Sequence, residues 1–241
     1  MLLAENMNIT SSPLRRILER HFYFAMAWVV LLVVCIGFGP NLGKRLLHAA
    51  PSRPALLWVH AAVFSSWVLL FIVQTGLVSL RKTAWHRQLG IAAGVLGCAI
   101  PPLGAGTAVL MLRWSPDVDA GGLAFLSNSF NDMLAFALCF GLALHWRKRP
   151  EYHKRLMILA TCALTGAAFA RFPPSLVPDL FWYAGADVLV MLGVMRDLLV
   201  NRRVHPVYLF GLPAMVAGQA LAMYLYLAAP AWWVACMRAI V

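Results

Sequence analysis

Charge is scarce in this sequence. Only 12% of its 241 residues are charged, and nine of them are acids, whereas a soluble domain of this length carries about 25%. That deficit excludes an ordinary soluble globular domain. Lysine is scarcer still. Lys44, Lys82, Lys148 and Lys154 all lie in or beside polar turns, so no lysine sits deep in a helix to form a Schiff base, as a retinal protein requires. Cysteine is present five times but never as C-x-x-C or C-x-x-C-H, which removes a redox pair, a zinc ribbon and a covalent haem. Cys35, Cys98, Cys139, Cys162 and Cys236 read as small core residues. The zinc-hydrolase spacings H-E-x-x-H and H-x-x-x-H are missing, as are a phosphate-binding glycine loop and a supported Ser-His-Asp pattern. The chain therefore reads as non-enzymatic.

What is abundant is apolar sequence, 62% of the chain. It is gathered in runs long enough to cross roughly 30 Å of hydrocarbon at about 1.5 Å per residue. Seven spans are expected, at 22–40, 56–80, 88–111, 123–146, 155–171, 180–200 and 207–228. The fifth is the shortest and the sixth contains an acid. Segment 1–21 is expected to be cytoplasmic, with Ser12 and Pro13 starting a basic helix, and 229–241 an outer interfacial tail. The first run starts late and is too long for a signal core, so no cleaved leader is expected.

A net charge of +11 would suggest nucleic acid in a soluble protein. Here the positive-inside rule accounts for it. With a cytoplasmic N-terminus, fourteen of the 20 basic residues fall in inward segments and six, namely Lys44, Arg45, Arg53, Arg113, Arg171 and Arg238, in outward ones. The expected partners are the lipid bilayer and anionic headgroups at the cytoplasmic turns, with no nucleic acid. The expected fold is all-α: a seven-helix transmembrane bundle, N-in and C-out, made of a leading helix and three hairpins.

Three inward turns share a pattern. "RKTAWHRQLG" (81–90), "RKRPEYHKRLM" (147–157) and "NRRVHPVYL" (201–209) each run from basic residues to a histidine and then turn apolar. One reading is topological, with His86, His153 and His205 at headgroup level where an outbound helix begins. The other is a ligand set: two of the rings could clasp a haem iron or bind a metal if their helices are neighbours.

A second polar group belongs to the opposite side. Ionisable residues inside a membrane are expensive and mark sites by default. His60, Asp132 and Asp187 each lie in the outer half of the first helix of a hairpin. Asn128 shares the Asp132 face at i−4, Asn131 is adjacent, Arg171 and Arg113 end helices at the outer face, and Gln219 lies about midway along the last span. Arg171 is the expected partner of one acid, and His60 or the asparagines of the other. These residues form either a binding site for a cation, amine or protons, or a polar clamp between helices.

Two packing faces are also legible. His60, Phe64, Trp67, Phe71 and Gln74 form one helical stripe that should face inward. Gly90, Gly94 and Cys98 form a small-residue face suited to close packing. Trp232 and Trp233 suit an outer aromatic belt.

His60 with Gln74, "HRQLG" (86–90), "HKRLM" (153–157), and Asp187 with "RRVHP" (202–206) resemble an uncharacterised family of bacterial polytopic membrane proteins. That family carries HR-x-(L/W)-G and HKR-(L/W)-M turn motifs. The resemblance spans about residues 56–210 and implies seven or so spans in a bacterial inner membrane, without an assigned reaction. A weaker similarity is to b561-type cytochromes, which hold two haems with histidines on four successive helices. His60, His86 and His153 match such positions. The fourth holds Asp132 instead, so the similarity implies at most one haem b, between His86 and His153.

The leading expectation is an inner-membrane protein that binds, senses or moves a small solute or protons at His60, Asn128, Asp132, Arg171, Asp187 and Gln219. The alternatives are a haem-b electron-transfer protein using His86 and His153, and a structural subunit of a membrane complex.

Overall fold

The computed structural model describes residues 13–42 and 53–241. Ser12, Lys44 and Arg45 lie outside the described residues. The described chain forms α1 (Pro13–Leu42), α2 (Ala55–Ser79), α3 (Thr83–Trp114), α4 (Ala120–His145), α5 (Pro150–Ala163), α6 (Gly166–Phe169), α7 (Trp182–Asn201), α8 (Pro206–Ala228) and α9 (Ala231–Ile240).

Five of these helices, α1, α2, α3, α4 and α8, are long and apolar enough to cross a membrane. Large apolar side chains such as Ile91 (75% exposed), Val95 (71%) and Phe210 (72%) stand on the outside of the bundle. So extensive an exposed apolar surface needs lipid or a partner to cover it, and with the helix lengths it marks a multi-pass membrane protein.

The other two expected spans differ from plain transmembrane helices. α7 has 20 residues, enough to cross, but carries Asp187, Arg196 and Asp197. α5 stops after 14 residues. There the ladder tightens to i−3, with Leu164 N–H donating to Thr161 and Thr165 N–H to Cys162. The Thr165 hydroxyl also donates to the Cys162 carbonyl at 2.7 Å, a side-chain competitor for helical bonding. The chain resumes as the short α6. At the other end of the bundle, the expected cytoplasmic helix and the first span are one unbroken α1.

Two turns explain why the basic motifs sit where they do. Arg81 (φ 61°) and Arg202 (φ 57°) both adopt the left-handed conformation just past the ends of α2 and α7. That conformation lets the chain reverse and bonds the last carbonyls, and a cation there also suits the negative end of the helix dipole.

Packing centres on α4, which contacts α3, α5, α8 and α9, while α1 lies across α2, α5, α6 and α7. The larger core joins Ala27, Val30, Ile158, Leu159, Val190 and Tyr208 from α1, α5, α7 and α8. A second joins Trp67, Ile100, Phe136 and Phe140 from α2, α3 and α4. The α2 stripe faces inward as expected: Trp67, Phe71 and Gln74 are buried.

The expected small-residue face of α3 does not pack. A Cβ at Gly90 or Gly94 would meet nothing within 4 Å, and Cys98 is exposed. The buried side of α3 is Gly97, Ile100, Gly104 and Thr107, where Gly97 admits the Phe140 ring and Gly104 the Met133 side chain. Trp233 of α9 donates its indole N–H to the Ala124 carbonyl at 3.2 Å, which seats α9 on α4, while Trp232 stays exposed.

Gly37 brings the α1 backbone close to α6, since a Cβ there would overlap the Ala168 carbonyl, whereas one at Gly141 would meet nothing within 4 Å. Backbone cannot swing aside as a flexible side chain can. Gly37→Ala should therefore destabilise the protein by about 1–3 kcal/mol, and Gly141→Ala should be neutral or slightly stabilising, as read by thermal unfolding in detergent.

Candidate functional site

The structure brings four of the six outer-site residues together. Asp132 and Asn128 come from α4, Asp187 from α7 and Gln219 from α8. Asp132 Oδ1 accepts from the Tyr183 hydroxyl at 2.9 Å and from the Asn131 amide at 3.3 Å. Tyr183, on α7, also reaches the Asn128 carbonyl at 3.4 Å. Asp187 Oδ1 accepts from the Gln219 amide at 3.1 Å. Asn131 bridges toward the second acid, because its Oδ1 lies against Gly218, the residue before Gln219. Gly166 of α6 leaves room at Asp132, where a Cβ would stand 3.4 Å from Oδ2. Buried Asn128 keeps Oδ1 without a hydrogen-bond partner.

The donors on both acids are thus neutral: a phenol and two carboxamides. His60 and Arg171 make contacts elsewhere. His60 stacks on Phe64 at 4.0 Å between centroids, with Nδ1 buried and unbonded. Arg171 donates to the Ala167 carbonyl, and its guanidinium lies 4.5 Å from the Phe38 ring centroid. Tyr183 is the member that residue patterns did not single out. An aromatic at a helix start is too common to signal a site until the acid opposite is seen.

At the other end of the bundle the three turn histidines separate. His86 and His153 are neighbours, with ring centroids 6.3 Å apart. His153 Nδ1 lies 2.9 Å from the Ala143 carbonyl. A carbonyl only accepts, so Nδ1 carries the proton it donates there. Oriented with its nitrogen toward His86, the buried Gln74 amide can donate to the His86 carbonyl at 3.2 Å and accept from Gly90 N–H at 3.1 Å. His205 belongs to a different group. Its Nδ1 accepts from Val207 N–H at 3.2 Å, capping α8, and its ring packs edge-on against Tyr152 at 4.7 Å. Capping requires a neutral ring, and burial, then Arg155, lowers its pKa below the usual histidine range.

Beside His205 lies a network that the residue patterns missed. Arg155, 1% exposed, grips Asp197, 0% exposed, through Nε at 2.7 Å and Nη2 at 2.6 Å. Arg196 Nη1 and the Asn201 amide also donate to Asp197 Oδ1, at 3.0 and 3.1 Å. Arg155 Nη1 extends the network to Glu151 Oε2 at 2.6 Å, and Lys154 bonds Glu151 Oε1 at 2.7 Å. The signal was available. Asp197 stands in the last turn of α7, where the helix dipole disfavours an acid, so it needs a cation.

Burial pushes the Glu151 carboxyl up, but the hydrogen bonds of Arg155 and Lys154 outweigh it and hold the pKa at about 2, below its ordinary 4.5. A depressed carboxyl stabilises the fold above its unfolded value, and that contribution is lost as pH falls from 4.5 toward 2. Glu151→Gln should therefore flatten part of the fall in unfolding temperature across that window, measured in detergent. Comparison with family models, with curated proteins and with solved structures finds no match for the chain.

Proposed function

We propose that this multi-pass membrane protein is a non-enzymatic carrier or sensor. It takes up protons or a small cationic solute at a polar intramembrane site formed by Asp132 and Asp187 with Asn128, Asn131, Tyr183 and Gln219. In this reading α5–α6 and α7 complete a seven-span, N-in bundle in a bacterial inner membrane. The site then faces the outer side, and the basic turns rest on anionic headgroups.

One observation carries the proposal: two carboxyls, Asp132 on α4 and Asp187 on α7, whose donors are all neutral. A carboxylate locked to a guanidinium is already compensated, as Asp197 is. A carboxylate held by a phenol and amides keeps its charge available to a proton or cation, and in a low-dielectric interior that availability is costly unless something uses it.

Asp132→Asn and Asp187→Asn test it, because asparagine keeps the shape and loses the charge. The proposal expects near wild-type unfolding temperatures in detergent, with the infrared carboxyl titration and proton uptake of each acid lost. A clamp would behave oppositely, with destabilisation of about 1–3 kcal/mol per acid and uptake unchanged.

The second reading is a haem-b electron-transfer protein, and the histidine pair favours it. Two imidazoles bound through Nε2 at about 2.0–2.1 Å to one metal place their centroids roughly 6 Å apart, against 6.3 Å for His86 and His153. His153 already commits Nδ1 to a carbonyl, the usual support for a ligating Nε2. For His86 to match it, the Gln74 amide must turn to accept from Nδ1–H. Bound there, the haem would supply a one-electron couple, and His86 and His153 would set its orientation. Protein purified with ample haem should show a Soret band whose α and β companions sharpen on dithionite reduction. A flat visible spectrum sinks this reading.

A further inference from the structure

We infer that the cation taken up at the acid site is sodium, held at Asp132 against the break between α5 and α6, where it replaces the carboxyl proton. The inference rests on the acid-site reading and names its ligand. It starts from the groups left unused there. Both hydrogen bonds to Asp132 end on Oδ1, so Oδ2 has none to accept. Asn128, 3% exposed, turns Nδ2 back to the Phe125 carbonyl at 3.4 Å and leaves Oδ1 buried without a partner. Asn128 shares the helical face of Asp132, and the Tyr183 hydroxyl touches both residues.

The helix break supplies a third unused acceptor. α5 runs antiparallel to α4, with His153 against the Ala143 carbonyl. Eleven residues on from that contact, Leu164 stands level with Asp132, and Gly166 lies against its Oδ2. Among the described residues no backbone N–H donates to the Leu164 carbonyl, because the Ala168 and Phe169 N–H groups both bond Thr165. Carbonyls freed at a broken helix are common cation ligands in membrane carriers.

The site is also open from within. α4 turns Leu134, Leu138 and Leu142 outward and buries Asn128, Phe136 and Phe140 on its other side. Asp132 belongs to that buried side yet is only half-buried. Its carboxylate therefore opens into a crevice of the bundle and not onto lipid.

All three unused groups are oxygen acceptors. A proton answers one of them, whereas a metal cation is coordinated by several oxygens at once. Charge sets the valence. One carboxylate balances one positive charge, and a divalent ion would bury a surplus charge at high cost. Spacing sets the size. Tyr183 has a single hydroxyl hydrogen, and the shorter contact, 2.9 Å, gives it to Asp132. Its oxygen then meets the Asn128 carbonyl at 3.4 Å as acceptor against acceptor. Two oxygens stand about that far apart when they share a cation at roughly 2.3–2.6 Å, the calcium range. Sodium is close to calcium in size, and potassium is larger. The exchange is balanced: sodium enters, the carboxyl O–H bond breaks, and the proton leaves to water. The site is neutral before and after, and nothing is oxidised.

Sodium itself is the probe, added to the purified protein in detergent with choline chloride holding ionic strength constant. The unfolding temperature should rise with sodium and level off, and sodium should release protons into a weakly buffered dye solution. Potassium should need at least about tenfold higher concentration. Asp132→Asn should abolish both responses. Gly166→Ala sets a methyl at ordinary contact distance, 3.4 Å from Oδ2, so the fold persists while the response shifts to at least about tenfold more sodium. Asn128→Leu, which keeps the volume and removes the acceptor, should shift it likewise. Equal unfolding temperatures in sodium and choline, with carboxyls that still titrate and take up protons, overturn the sodium assignment and leave a proton site. An equal response to potassium overturns it too. So does a sodium response that survives Asp132→Asn, or that is unmoved by Gly166→Ala. If the carboxyls do not titrate and no cation is taken up, the acid-site reading falls and this inference falls with it.

Discussion

Arg155 is a guanidinium with 1% of its side chain exposed, and the helices around it are arranged to satisfy it. Its fork closes on Asp197 with two bonds, the geometry in which arginine and carboxylate bind most strongly. Removing one partner of such a pair leaves a buried charge, typically at a cost of about 3–5 kcal/mol. The pair therefore fixes how α5 and α7 slide against each other. Asp187 rides on the same helix ten residues away, about 15 Å at roughly 1.5 Å per residue, so its depth is set by this lock as well as by its own bond to Gln219.

The two ends of α7 treat their acids differently, and that difference decides the functional reading. Asp197 is compensated by Arg155 and Arg196 and capped by Asn201, which leaves it no spare role in exchanging charge. Asp187 and Asp132 are held by groups that work with either protonation state. An amide or phenol can donate to a carboxylate, and its oxygen can accept from a carboxylic acid. In the proposed reading, the Arg155–Asp197 end of the bundle stays ionised and the Asp132–Asp187 end changes state.

Much of the fold was legible because apolar runs measure helices directly. The expected spans at 56–80, 123–146 and 207–228 fall within a few residues of Ala55–Ser79, Ala120–His145 and Pro206–Ala228. Periodicity also found the inward side of α2. It could not find that of α3, because Gly90 and Gly94 make as good a small-residue series as Gly97 and Gly104. Only the partners Phe140 and Met133 on α4 distinguish the two. The candidate site was legible as a depth, since Asp132, Asp187 and Gln219 fall in corresponding parts of their helices. Its pairings were not, because which donor reaches which acid depends on helix rotation, and opposite charge is a weak guide to that. Arg155 was hidden for a related reason. Amid the basic residues 147–155 it reads as one more cytoplasmic anchor, although it is the one that turns inward.

The repeated histidine shows how far a repeat can be trusted. His86, His153 and His205 each stand near the start of a helix after a basic turn. There the first backbone N–H groups of a helix have no intrahelical partner, and an imidazole can serve in several ways. His205, fixed by Pro206 in the extended conformation of an N-cap, turns Nδ1 onto its own helix at Val207. His153 lies three residues inside α5, too far along to cap, and reaches back to the Ala143 carbonyl of α4. His86 lies three residues inside α3, and its Nδ1 faces Gln74 of α2. The repetition is thus one of sequence pattern. Side-chain role follows from where each ring falls relative to its helix start, and only the two rings set inside their helices come together.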